Sequence, residues 1–265
     1  MGSRPPARRS VLRPVNGHRL HLWLMMALTF STGMVDAVGF LGLDRVFTGN
    51  MTGNVVVLGM AAAGADDFPV LGPALALAGF LAGAAYGGRV LRPAPPGWSG
   101  RVGACLGTVA AISLVLGVVI TAVEMAAGTA AEDVPAPLAV ATTTLLGAVM
   151  GLQAGSARHI AVAEVTTVVV TSTLTALASQ SRIAGGTGDR NGRRAVAVAL
   201  LLGGAAAGAV LLRIGVGAGL LVAGAIMAAV TAVGVAHARA VASDMASDMA
   251  SDATSANPSL TGPAT

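Results

Sequence analysis

The chain has 265 residues, 54% hydrophobic and 11% charged, with a formal net charge of +4 and a mean hydropathy of +0.77. This balance is too apolar for a water-soluble domain and marks an integral membrane protein. The basic residues are all arginines, and outside the N-terminal tail they sit in gaps between apolar runs, so there is no contiguous basic surface of the kind nucleic-acid binding requires.

Residues 1–20 form an arginine-rich tail carrying Arg4, Arg8, Arg9, Arg13 and Arg19. Arg8-Arg9 ahead of an apolar stretch faintly resembles a twin-arginine signal, but no small-residue cleavage site follows, so the tail is read as uncleaved and cytoplasmic. Apolar runs then centre on Trp23 to Phe40, Val55 to Gly64, Leu71 to Gly88, Val102 to Ala127, Leu138 to Ala154, Ile160 to Ala178, Ala195 to Leu212 and Gly215 to Ala236. Barrel strands would be short and alternating, whereas continuous Ala, Leu, Val and Gly predict an all-α, polytopic transmembrane bundle over residues 21–237. The remainder, 238–265, opens on the repeats of Ser243-Asp-Met-Ala and is expected to be a disordered tail. Cys105 is the single cysteine, and His18, His21, His159 and His237 lack ligand spacing, so no metal site or cofactor is expected.

Eight plain crossings from a cytoplasmic N-terminus would place Arg89, Arg92 and Arg101 outside and Asp66-Asp67 inside, against the positive-inside rule. The conflict disappears if residues 22–64 make one net crossing. A straight helix of that length would run about 64 Å, twice the hydrocarbon thickness, so the chain must break and fold back. Gly33, Gly39, Gly42, Gly49 and Gly53 supply the break. The same holds for residues 138–180, ahead of the loop with Arg182, Arg190, Arg193 and Arg194. Six net crossings follow, with both termini cytoplasmic and with Asp66, Asp67, Glu132 and Asp133 outside.

Each half then contributes three crossings, repeat one over about 22–127 and repeat two over about 138–237. Thr32-Gly-Met-Val35 is similar to Met150-Gly-Leu-Gln153, Met51-Thr-Gly-Asn-Val55 to Val170-Thr-Ser-Thr-Leu174, and Gly79-xxx-Gly83 to Gly204-xxx-Gly208. An odd number of crossings per copy predicts two inverted repeats, each with a broken or folded-back first element.

The polar cluster Thr48-Gly-Asn-Met-Thr-Gly-Asn54 and its echo Thr167 to Thr175 interrupt this apolar pattern. Amides and hydroxyls are costly in hydrocarbon unless partnered, and a broken helix exposes backbone N–H groups at the start of its second piece. Asn50, Thr52, Asn54, Thr171, Thr173 and Gln153 are therefore expected to bind a polar, neutral or zwitterionic solute, with its polar or anionic groups on those helix starts. Asp36, inside the first apolar run, and Glu164, opposite Arg45 in the repeat alignment, are expected to couple an ion or proton. No nucleophile with a base, facing aspartate pair or phosphate loop is credible, so no enzyme is expected.

The run Leu28-Thr-Phe-Ser-Thr-Gly-Met-Val-Asp-Ala-Val-Gly-Phe-Leu-Gly-Leu43, continued through Arg45-Val-Phe-Thr-Gly-Asn-Met-Thr-Gly-Asn-Val-Val56, resembles the YoaK-like family of bacterial membrane proteins, a domain of unknown function. Gly151-Leu-Gln153 and Val170-Thr-Ser-Thr-Leu-Thr175 are similar to its second-half pattern, except that Thr171-Ser-Thr173 stands where the family usually has Thr-Gly-Thr. The resemblance implies a multi-pass protein of the bacterial inner membrane with about six spans, of a kind sometimes labelled a permease. The expected function is secondary transport of a small polar solute, with a passive channel or a non-transporting scaffold or sensor as alternatives. The expected partners are the solute, the lipid bilayer and further copies of the chain.

Overall fold

The computed structural model describes residues 13–65, 69–128, 134–160, 170–188 and 191–256. Within them the helices are α1 (Arg13–Gly42), α2 (Met51–Ala62), α3 (Leu71–Leu91), α4 (Gly100–Ala127), α5 (Ala136–Ile160), α6 (Val170–Ser179), α7 (Asn191–Leu211) and α8 (Val216–Ala256). Six of these are long and apolar enough to cross a membrane. α2 has 12 residues and α6 has 10. At 1.5 Å per residue they reach about 18 and 15 Å, roughly half a hydrocarbon core. The protein is thus a multi-helical membrane bundle with six candidate spans among the described residues, and α2 is too short to be a further one.

Glycine contacts fix the helix directions. Gly33 of α1 lies against Leu201 and Ala205 of α7, while Gly204 and Gly208 of α7 lie against Phe30 and Met34 of α1, so the two run parallel. α3 and α5 are parallel for the same reason, with Gly147 and Gly151 against Ala76 and Phe80. α8 opposes α1, where Gly42 meets Val216 and Gly219 meets Val38, and it opposes α4, where Gly117 meets Leu221 and Gly217 meets Thr121. At the far end of α5, His159 meets the carbonyl of Pro95 in the α3–α4 turn at 3.1 Å. Hence α1, α4 and α7 point one way and α3, α5 and α8 the other.

The α5–α3 contact reproduces the α1–α7 contact. Gly151 faces Phe80 and Ala84 as Gly33 faces Leu201 and Ala205; Gly83 meets Ala148 as Gly204 meets Phe30; Gly87 meets Leu152 as Gly208 meets Met34. In lipid no hydrophobic force drives helices together, so close backbone approach over such glycines is what holds a pair. The contacts correct the register expected from sequence by one turn. Gly83 and Gly87, not Gly79 and Gly83, correspond to Gly204 and Gly208, and Gly79 instead faces Thr144. Three glycines spaced by four residues made both alignments equally good in sequence.

α1 is the most enclosed span, 67% buried over its apolar window against 17% for α3 and α7, so a polar group on α1 is shielded from lipid. The end of α8 differs from expectation. Ser243-Asp-Met-Ala and its repeats continue α8 to Ala256, exposed over residues 241–250, because no glycine or proline interrupts residues 235–257 and the alanines and methionines favour helix.

Candidate functional site

The site is built where α1 ends. Asp44 and Arg45 both adopt φ 53°, left-handed conformations that favour neither residue. They cost about 1–2 kcal/mol each and turn the chain sharply. Val46 and Thr48 then run back past Gly39, and Gly49 comes to rest against Thr32 and Asp36. A side chain at Gly39 or Gly49 would block this return. Thr32 lies ten residues before Gly42, about 15 Å along α1, so α2 starts deep beside the middle of that helix. Residues 161–169, where the second copy would break, lie outside the described residues, and with them Glu164 and Thr167.

Asp36 anchors the returning segment. Its Oδ1 accepts from the backbone N–H of Gly49 at 2.6 Å, Thr48 at 2.9 Å and Asn50 at 3.3 Å, and from the Thr48 hydroxyl at 3.4 Å. Successive N–H groups of this kind form an anion-binding concavity. The anion here is the protein's own, which corrects the expectation that this helix start would receive an anionic group of the ligand. Among the described residues no charged group acts on Asp36, so Arg45 is not its partner. Asp44, in the turn outside the spans, has its carboxyl pushed up by partial burial and drawn back by Arg45.

Asn54 is fully buried and serves the same loop. Its Oδ1 accepts from the Phe47 N–H at 2.9 Å and its Nδ2 donates to the Phe47 carbonyl at 2.6 Å, so the side chain acts as a strand partner for that residue. It does not line the cavity. Phe47 in turn stacks on Phe40, ring centroids 4.6 Å apart at 23°.

Four of the sequence-predicted residues meet around one cavity of ≈780 Å³: Asp36, Asn50, Thr52 and Thr171. Its remaining walls come from α1, Phe47 and Gly49 of the returning segment, Val170 of α6 and the Leu201 to Ala209 face of α7. An adjoining space of ≈440 Å³ shares Phe40, Phe47, Asn50, Thr52 and Thr171 and adds Arg45. Thr173 lines neither. Gln153 sits one layer behind, 1% exposed, its Nε2 donating to the Thr32 hydroxyl at 3.0 Å. Its Oε1 has no hydrogen-bond partner among the described residues.

Thr32, Phe40 and Phe47 were not singled out from sequence. Thr32 was the findable one, since it lies four residues before Asp36 on the same face of one helix. Among the described residues no three His, Cys, Asp or Glu side chains gather where they could hold a metal ion.

These features define a polytopic helical membrane protein with a partly polar cavity beside a folded-back helix start. The chain belongs to the family described as "Protein of unknown function (DUF1275)", which matches residues 24–233. It is also 43% identical over 60 residues to the UPF0700 transmembrane protein YoaK of Bacillus subtilis (strain 168), a stretch that covers 23% of this chain and 27% of that protein. No solved structure matches the chain.

Proposed function

We propose that the protein is a secondary transporter of a small polar solute, built from two inverted three-crossing halves, with the ≈780 Å³ cavity as its binding site. The observation that carries this reading is the meeting of Asn50 and Thr52 from the first half with Thr171 from the second on one cavity wall. A cavity of this size falls within the range of small-molecule sites. The repeated packing of α1 on α7 and of α5 on α3, with α1 and α5 pointing in opposite directions, supports the inverted relation. In such architectures substrates bind at mid-depth where the halves meet, and access alternates as one half rocks against the other. Asp36, desolvated beside the cavity, is the residue through which an ion or proton couples to transport.

The test is solute flux into proteoliposomes, starting from a broad uptake screen and followed by the double variant Asn50→Ala, Thr171→Val. Each lost hydrogen bond weakens binding by about 1 kcal/mol, so uptake at low solute concentration is expected to fall by tenfold or more. Unchanged flux in the double variant removes the site. Saturable flux that responds to a proton gradient supports a transporter, whereas linear, gradient-insensitive flux through the same residues makes the protein a channel.

A further inference from the structure

The chemistry of this cavity narrows the solute class, a step that rests on the transport reading above. The backbone N–H groups of Thr48, Gly49 and Asn50, which would otherwise attract an anion, already surround Asp36 Oδ1. Asp36 Oδ2 accepts no hydrogen bond from the described residues, and Asp36 lines the cavity. The Thr32 hydroxyl donates its proton to the Leu28 carbonyl at 2.8 Å and accepts from Gln153 Nε2 at 3.0 Å, so it has no donor left and at most one free lone pair. Among the described residues no arginine or histidine lines this cavity, and Arg45 belongs to the adjoining one. The polar end therefore offers Asp36 Oδ2 as a free acceptor beside the Asn50 and Thr52 side chains, and an ionised Asp36 there needs a positive partner, because an unmatched charge is costly in this medium. An anionic group placed there would meet a like charge, and a neutral donor would leave the carboxylate unbalanced.

Apart from Thr171, the other walls are mostly carbon. The stacked Phe40 and Phe47 rings lie beside the acidic end, and cations are attracted to such rings. Leu201, Leu202, Ala205, Ala206 and Ala209 supply an aliphatic side. We infer that the site binds a protonated amine carrying a compact apolar body, with the ammonium on Asp36 Oδ2, Thr52 and Asn50 supplying further acceptors, and the carbon skeleton lying between the phenylalanines and α7.

The experiment is calorimetric titration of the full chain in nanodiscs, corrected against empty nanodiscs, with three isosteric probes: benzylamine, benzyl alcohol and benzoate. Benzylamine is expected to bind at least tenfold more tightly than the other two. Asp36→Asn keeps an acceptor oxygen for the three N–H groups while removing the charge, and should abolish the preference for the amine. Ala206→Phe adds bulk at an exposed residue of the α7 wall while leaving Asp36 itself unaltered, and should weaken all three probes. If Asp36→Asn does not fold, the ranking of probes on the unaltered chain still decides. If benzoate or benzyl alcohol binds as tightly as the amine and Ala206→Phe weakens that binding, the amine inference is overturned and the transport reading survives. If no probe binds and Ala206→Phe leaves a broad uptake screen unchanged, both are overturned.

Discussion

Two asparagines four residues apart, each following Thr-Gly or Met-Thr-Gly, take opposite roles. Asn54 faces inward and has both ends of its amide paired with the backbone of Phe47. Asn50 stands exposed at the start of α2 with no side-chain bond to that helix. Asn54→Ala leaves a buried N–H and a buried carbonyl unpaired, about 1–3 kcal/mol each, and should lower the thermal unfolding midpoint in detergent clearly. Asn50→Ala, with nothing left unpaired, should change stability by less than about 0.5 kcal/mol while still reducing flux. A stability loss at Asn50 equal to that at Asn54 would mean both amides are internal supports. The sequence made the cluster visible through the cost of polar groups in hydrocarbon. It could not separate the two amides, because the separation depends on how the chain returns along α1 after Asp44 and Arg45. A second carboxylate serves as an anchor elsewhere. Glu124 accepts from the N–H of Val216 at 2.6 Å and of Gly217 at 3.3 Å, capping the start of α8. Glu124→Ala should cost about 1–2 kcal/mol, the usual scale for a lost cap, read as a lower unfolding midpoint with no change in solute selectivity.

At the scale of elements, adjacent glycines on α7 provide an internal control. A Cβ on Gly204 would collide with the backbone of Phe30, whereas one on Gly203 would meet only the edge of the Phe30 ring at 3.7 Å. Gly204→Leu must push α7 away from α1, an overpacking cost of about 1–3 kcal/mol or more. Gly203→Leu, facing outward, should be tolerated. The measurement is unfolding of the two variants side by side, and equal destabilisation would refute the packing described for α1 and α7. Helix existence was readable from apolar runs, and the count of six long elements followed from setting those runs against arginine placement. Register was not readable, since Gly79, Gly83 and Gly87 repeat at one spacing and only contact with α5 tells them apart. The extension of α8 was missed for a different reason. Low sequence complexity signals a segment that cannot bury a core, but an alanine-rich stretch joined to an existing helix needs no core and no new nucleus to continue.

For the whole molecule, the order of helix directions has a topological consequence that can be tested from outside the cell. α1, α4 and α7 share one direction, so the α3–α4 turn lies at the same end as the segment between α6 and α7, and residues near Ala65 and Ala127 lie at the other. Arg89, Arg92 and Arg101 flank the first of these turns and Arg182, Arg193 and Arg194 the second, so the positive-inside rule predicts that this end, with the start of α1 and the end of α8, faces the cytoplasm. Replacing buried Cys105 by alanine gives a background without thiols. Single cysteines can then be introduced at Ala65, Pro96, Ala127 and Ile183, of which Ile183 is fully exposed. A membrane-impermeant maleimide applied to spheroplasts should label Ala65→Cys and Ala127→Cys and reach Pro96→Cys and Ile183→Cys only after permeabilisation. Labelling of Ile183→Cys from outside while Pro96→Cys stays protected would place the α6–α7 segment on the wrong side for two inverted halves. The cavity between Asn50 and Thr171 would then be a meeting of two unrelated loops rather than the shared centre of a rocking transporter.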